Sequence, residues 1–130
     1  MLLSPAPMDA EGHFPEPTVA ELHHGAMAIA DLTVQMGRRM EDGPKRVLLQ
    51  AAGELECLAY LQTNPDDSPT KEVFLRSALT LYHNAGNNEF VLREAEASDY
   101  RAWAHPEIAA EIDEVVAAAR RALEAGPSGR

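Results

Sequence analysis

The side chains that could carry chemistry in this 130-residue chain are five histidines, one cysteine and a surplus of carboxylates. His23 and His24 form the densest pair of metal-type donors. Neighbouring residues on a helix point about 100° apart, so the two cannot face one ion. A site built on His24 needs Asp31, two turns on, or a ligand from another chain. Neither histidine has a His or Glu four residues away, and a Glu-x-x-His pair on two inward faces, as in a di-iron bundle, is missing. Both residues read as solvated surface histidines. Glu54 and Glu56 stand two apart, diverge on a helix and make no catalytic carboxylate pair. Asp66-Asp67 lacks the ligand alternation of a calcium loop. Cys57 is alone, which rules out an intrachain disulfide, and the carboxylates beside it disfavour a thiolate; it reads as a packing residue. Phosphate-cradling glycine loops, nucleophile elbows and Cys/His zinc spacings do not occur. The residues call for no catalytic group, metal or cofactor, and the expectation leans away from an enzyme.

Composition bounds the partners. The formal charge is −10, divided as −5 for residues 1–43, −1 for 44–85 and −4 for 86–130. Basic residues cluster only as the pairs Arg38-Arg39, Lys45-Arg46 and Arg120-Arg121, so no basic face exists to release phosphate counterions. Nucleic acid and anionic membranes are therefore not expected partners. A basic protein surface is the electrostatic complement. The start, Met1-Leu2-Leu3-Ser4-Pro5, reads as no signal peptide, no segment reaches the roughly 20 apolar residues of a membrane span, and a cytoplasmic location is expected.

The elements that must position these side chains are helices, because the apolar set is dominated by Ala and Leu. Prolines 5, 7, 15 and 17 predict a disordered arm over residues 1–17. A helical domain over 18–125 and a disordered tail over 126–130 follow. The capping box Thr18-Val19-Ala20-Glu21 predicts a first helix running to about Met40, with Leu22, Ala26, Ile29, Thr33, Met36 and Met40 inward. Gly25, Gly37 and several alanines make this helix thin. Pro44 suits the first turn of a second helix to about Thr63, whose core face reads Leu48, Ala51, Leu55, Leu58 and Ala59. Ser68-Pro69 reads as the cap of a third helix to about Ala85, apolar over most of its circumference. The fourth helix starts near Asn88, buries Phe90, Val91 and Ala95, and either breaks near Ser98-Asp99, the favoured reading with Asp99 as a cap, or continues to Ala104. Tyr100 and Trp103 share one face there, as core or as an interface anchor, with core favoured. His105-Pro106 starts a last helix to about Ala125, with Ile108, Ile112, Val115, Ala119 and Leu123 on one side.

On the third helix Glu72, Arg76, Thr80, His83 and Asn87 fall at spacings of four, four, three and four, which aligns them in one polar row read as exposed. Ala85-Gly86-Asn87 closes that helix and opens the next. Ala78, Tyr82, the Ala85-Gly86-Asn87 turn and the run Glu89 to Ala97 resemble one tetratricopeptide-type helical pair, over about residues 72–97, about a fifth of the chain. The 34-residue period does not recur, since the equivalents of Ala78 and Tyr82 are Pro44 and Leu48 on one side and Ile112 and Val116 on the other. The resemblance implies a partner-binding surface on the first helix of the pair, here Arg76, Thr80, His83 and Asn87.

The sequence thus predicts an all-α domain of about five helices, an irregular antiparallel bundle or short helical-hairpin array. The expected function is a non-catalytic protein–protein interaction module: an adaptor, accessory subunit or inhibitor-type partner. Two further readings stay open. One is a small helical enzyme or metal or ligand sensor using His23 or His24 with a carboxylate. The other is a self-assembling homo-oligomer joined through the Gly/Ala-rich first helix.

Overall fold

Thr18 sets the first boundary as its pattern requires. Its hydroxyl accepts from the Glu21 N–H at 3.1 Å, while Glu21 Oε1 accepts from the Thr18 N–H at 2.9 Å. In the computed structural model, which describes residues 16–126, five α-helices follow: α1 Val19–Met36, α2 Asp42–Gln62, α3 Ser68–Asn84, α4 Asn88–Ser98 and α5 Pro106–Ala125. Short 3-10 turns fill Gly37–Arg39 and Tyr100–Ala102. The described residues are all-α. The predicted arm, except Glu16 and Pro17, and the tail beyond Gly126 lie outside the described residues.

Local chemistry moved some boundaries. α1 stops four residues before Met40 because Gly37 takes φ 51, a left-handed backbone that ends the helix. α3 is capped by Asp67, whose side chain accepts from the Thr70 N–H at 3.3 Å, so the predicted cap Ser68 is already the first helical residue. Between α3 and α4, Gly86 at φ 85 lets the Asn87 N–H reach back to the Tyr82 carbonyl at 2.9 Å, and Asn87 then caps α4 through the Phe90 N–H. α4 does break at Ser98. Asp99 serves there through a left-handed backbone at φ 49, ψ 42 and makes no side-chain cap. The Trp103 indole N–H donates to the freed Ser98 carbonyl at 2.9 Å, which ties the break down.

The hairpin connections run α1, α2 and α3 back and forth, with α2 between its neighbours; α3 also packs on α5 and α4, and α5 packs on α4. The larger core cluster draws Leu22 from α1, Cys57, Ala59 and Tyr60 from α2, Phe74 to Tyr82 from α3, Val91 and Ala95 from α4, and Ile112 and Ala119 from α5. A smaller one joins Ala26, Leu49, Ala52 and Leu81. Tyr100 is buried and Trp103 packs against the same core, so this pair is core, as favoured. Helices approach closely at Gly25 and Gly53, where a Cβ would stand 3.3 Å from the Leu55 side chain and from the Tyr82 ring respectively.

One face differs from the pattern. α2 buries Leu49, Ala52, Gly53, Glu56, Cys57, Ala59 and Tyr60. Of the predicted Leu48, Ala51, Leu55, Leu58 and Ala59, Ala59 is buried and Leu55 packs against the core, while the centre of the face is turned by about one residue from Leu48, Ala51 and Leu58. Leu58 is 45% exposed. The cause is Glu56: a fully buried carboxylate occupies a core position, and a hydropathy pattern slides past it. Met36 and Leu123, predicted inward, also face solvent substantially. Among the described residues no helix is long and apolar enough to cross a membrane.

Candidate functional site

The polar row on α3 is not exposed. α5 lies along it, and its charges are met from within the protein. Glu72 is buried and accepts twice from His105, from the backbone N–H at 2.6 Å and from Nδ1 at 2.8 Å. His105 is the N-cap residue of α5, so the carboxylate holds the start of that helix against α3. Arg76 pairs with Glu111 on α5 at 2.6 Å. Thr80 donates to the Arg76 carbonyl, His83 Nδ1 lies 2.6 Å from Asn88 Oδ1, and Asn87 donates to Gln50 on α2. All four predicted binding residues, Arg76, Thr80, His83 and Asn87, are half-buried and have partners of their own chain. The sequence pattern alone makes the row look like free surface, because the groups that meet Glu72 and Arg76 lie more than thirty residues away in sequence.

A second acid–histidine pair joins α1 to α2. His23 Nδ1 stands 2.9 and 3.1 Å from the two oxygens of Glu56, whose side chain is 0% exposed. The His23 ring lies 5.1 Å from the Phe74 ring. His23 is therefore not a solvated surface histidine, although its neighbour His24 is exposed. Burial pushes the Glu56 carboxyl above its ordinary range, and hydrogen bonding to His23, its charge, and Ser77 oppose that rise. A carboxylate-held imidazole is half of a general-base arrangement, which acts by taking a proton from a nucleophile within reach. Among the described residues the His23 ring hydrogen-bonds only the Glu56 carboxylate, and no hydroxyl stands within hydrogen-bond reach of it. The pair works as a clip between helices. The signal that could have found Glu56 was its place among Leu49, Ala52, Ala59 and Tyr60 at helical core spacing; nothing local marks His23 as its partner.

The remaining candidates are also committed to the fold. Asp113 on α5 accepts from the Tyr100 hydroxyl and from Arg101 at 2.8 and 3.0 Å, and these hydrogen bonds hold its carboxyl below the ordinary range. Cys57 lies in the core, where burial pushes its thiol up to about 11, with the Glu94 charge adding to the rise. Among the described residues no group of three or more His, Cys, Asp and Glu is placed to hold a metal. An open cleft of about 500 Å³ between α4 and α5 has an apolar floor of Leu92, Ala95 and Val116, but Glu96, Asp99 and Arg120 rim it with both signs of charge.

The surface with unspent apolar area is elsewhere, on the outside of the α1–α2 hairpin. Val47 is 68%, Leu58 45% and Leu61 61% exposed on α2. With Ala51 and Glu54 they fall at spacings of four, three, four and three, within one arc of about 80° pointing away from both α1 and α3. Leu32 on α1 is also exposed. Sequence reasoning missed this ridge because it placed Leu58 in the core. Comparison with protein-family models, with curated proteins and with solved structures finds no match to this chain.

Proposed function

We propose that this chain is a non-catalytic protein–protein interaction module that docks through the outer face of the α1–α2 hairpin. The observation carrying the reading is the solvent-facing ridge of Val47, Leu58 and Leu61 on a helix whose opposite face is fully packed. Singly scattered exposed apolar residues are ordinary, whereas apolar side chains aligned on one helix face form the kind of contiguous strip that suits an interaction surface. The paired states of Glu56, Glu72 and Asp113 support the same class, because the acids that could have done chemistry bind neighbouring elements instead. The resemblance of the sequence over about residues 72–97 to a tetratricopeptide-type pair also suits a partner-binding protein. The row that likeness would offer is half-buried and bonded within the chain, Arg76 to α5 and the rest to α2, α3 and α4, so the reading places docking on α2. The charge of −10 favours a partner with a basic rim.

The test compares affinity capture by the full chain and by a Leu58→Asp/Leu61→Asp variant from the native lysate, with circular dichroism confirming equal helicity. A stoichiometric protein retained by the unaltered chain and lost by the variant is expected. Identical retained proteins for both chains would remove this surface from the reading.

A further inference from the structure

The kind of partner follows from the ridge and its charge, and rests on the reading of the outer hairpin face as a docking surface. We infer that the occupant is an amphipathic helix of another protein whose apolar stripe is interrupted at its centre by a lysine or arginine. The ridge from Val47 to Leu61 spans about 21 Å at a rise of about 1.5 Å per residue, the reach of a partner helix of four turns. Its alternating spacing of four and three is the spacing of a helix–helix seam, and Ala51 within it leaves room for a side chain of the partner to enter.

The charge selects among helices. Glu54 lies at the middle of the ridge, exposed, with its Oε1 accepting only from Gln50 one turn back on the same helix, at 3.1 Å. After Arg46, α2 contains no Lys or Arg, and α1 contains none from Val19 to Met36. Glu21 and Asp31 are exposed on α1, which thus adds no positive charge to offset Glu54. A helix lying on this strip desolvates Glu54, and a carboxylate losing water without an opposite charge is strongly unfavourable. A central cation on the partner supplies that charge.

The same geometry argues against a second copy. Glu54 is the midpoint between Val47 and Leu61, so a two-fold pairing of α2 with its copy, parallel or antiparallel, sets Glu54 against Glu54. Two like charges then share one desolvated seam. A heterologous basic helix meets no such conflict.

The probes are synthetic capped helices of about 20 residues, leucine-striped at four–three spacing, identical except for Lys or Glu at the central seam position. Binding to the full chain is measured by fluorescence anisotropy, and the contact is mapped from methyl chemical shifts of Val47, Leu58 and Leu61. The Lys helix should bind at least about tenfold more tightly than the Glu helix, with the preference reversed on a Glu54→Lys variant. Equal affinities, no binding by either helix, or a wild-type dimer joined through this face in sedimentation would overturn the inference. If a lysate partner is lost on Leu58→Asp/Leu61→Asp while the two helices bind alike, the docking surface stands and the basic helix falls. If the Lys helix binds with methyl shifts confined to the α4–α5 cleft, both fall.

Discussion

Glu56 shows how one residue can set the orientation of a helix and the pH response of the protein. Its carboxylate is fully buried, and desolvation raises its affinity for a proton above that of an unfolded glutamate. A group with a raised folded-state pKa contributes stability that is fully present below its unfolded value and is lost as pH rises through the folded one. The contribution of Glu56 to folding should therefore fall as pH increases from about 4.3, the ordinary glutamate value. Urea denaturation of the wild type and Glu56→Gln between pH 4 and 7 measures it: the variant should gain on the wild type as pH rises, and parallel curves would reject the assignment. His23→Ala should be destabilising by about 2–4 kcal/mol at pH 7, because it leaves a buried charge unpaired, and less in the Glu56→Gln background. The pairing was not legible in the sequence. Hydropathy assigns a glutamate to the surface, and only the core spacing of its neighbours contradicts that.

At the scale of elements, the caps were the most legible features. Thr18, Asn87 and His105-Pro106 act within a few residues of themselves, so Thr18-x-x-Glu21 and Ala85-Gly86-Asn87 fixed helix starts and the α3–α4 turn directly. The inward face of α2 was less so, since it depends on contacts from two sides that no local pattern records. Gly53 makes the point testable. Replacing glycine inside a helix with alanine ordinarily gains up to about 1 kcal/mol. At Gly53 the added Cβ would sit 3.3 Å from the Tyr82 ring, and that ring is itself held 4.1 Å from the ring of Phe90. The ring must give by a few tenths of an ångström against Phe90, and overpacking of about 1–3 kcal/mol is expected to exceed the helix gain. Gly53→Ala should therefore lower the thermal midpoint, while Gly43→Ala, where a Cβ meets nothing within 4 Å, should not. A Gly53→Ala protein as stable as the parent would show that Tyr82 moves freely.

The whole molecule is organised around α3, which packs on α2 at one side and on α4 and α5 at the other. Each side has its own acid–histidine tie, His23–Glu56 between α1 and α2 and Glu72–His105 between α3 and the start of α5. The acids of the last helix, which the sequence presents only as complements to a helix dipole, tie α5 to the rest: Glu111 to Arg76 and Asp113 to Tyr100 and Arg101. α5 contributes just two fully inward residues, Ile112 and Ala119, so its docking depends on the polar ties more than that of α2 does. Removing Glu72 tests this division. Glu72→Ala frees the N-cap N–H of α5 and leaves His105 without its partner, an effect of about 2–4 kcal/mol for a buried, doubly bonded carboxylate. Local opening differs across a structure according to how much each part buries, so the loss should be uneven. Native-state hydrogen exchange should show protection falling through Pro106–Ala125 and the Tyr100–Ala102 turn. The amides of α1 and α2, held by His23–Glu56 and the Ala26–Leu49–Ala52 cluster, should keep most of theirs. Glu72→Gln, which retains an acceptor for the His105 N–H, should fall between the two. Protection lost equally in all five helices would mean that the molecule opens only as one unit, and that α5 is no more loosely held than the hairpin carrying the ridge.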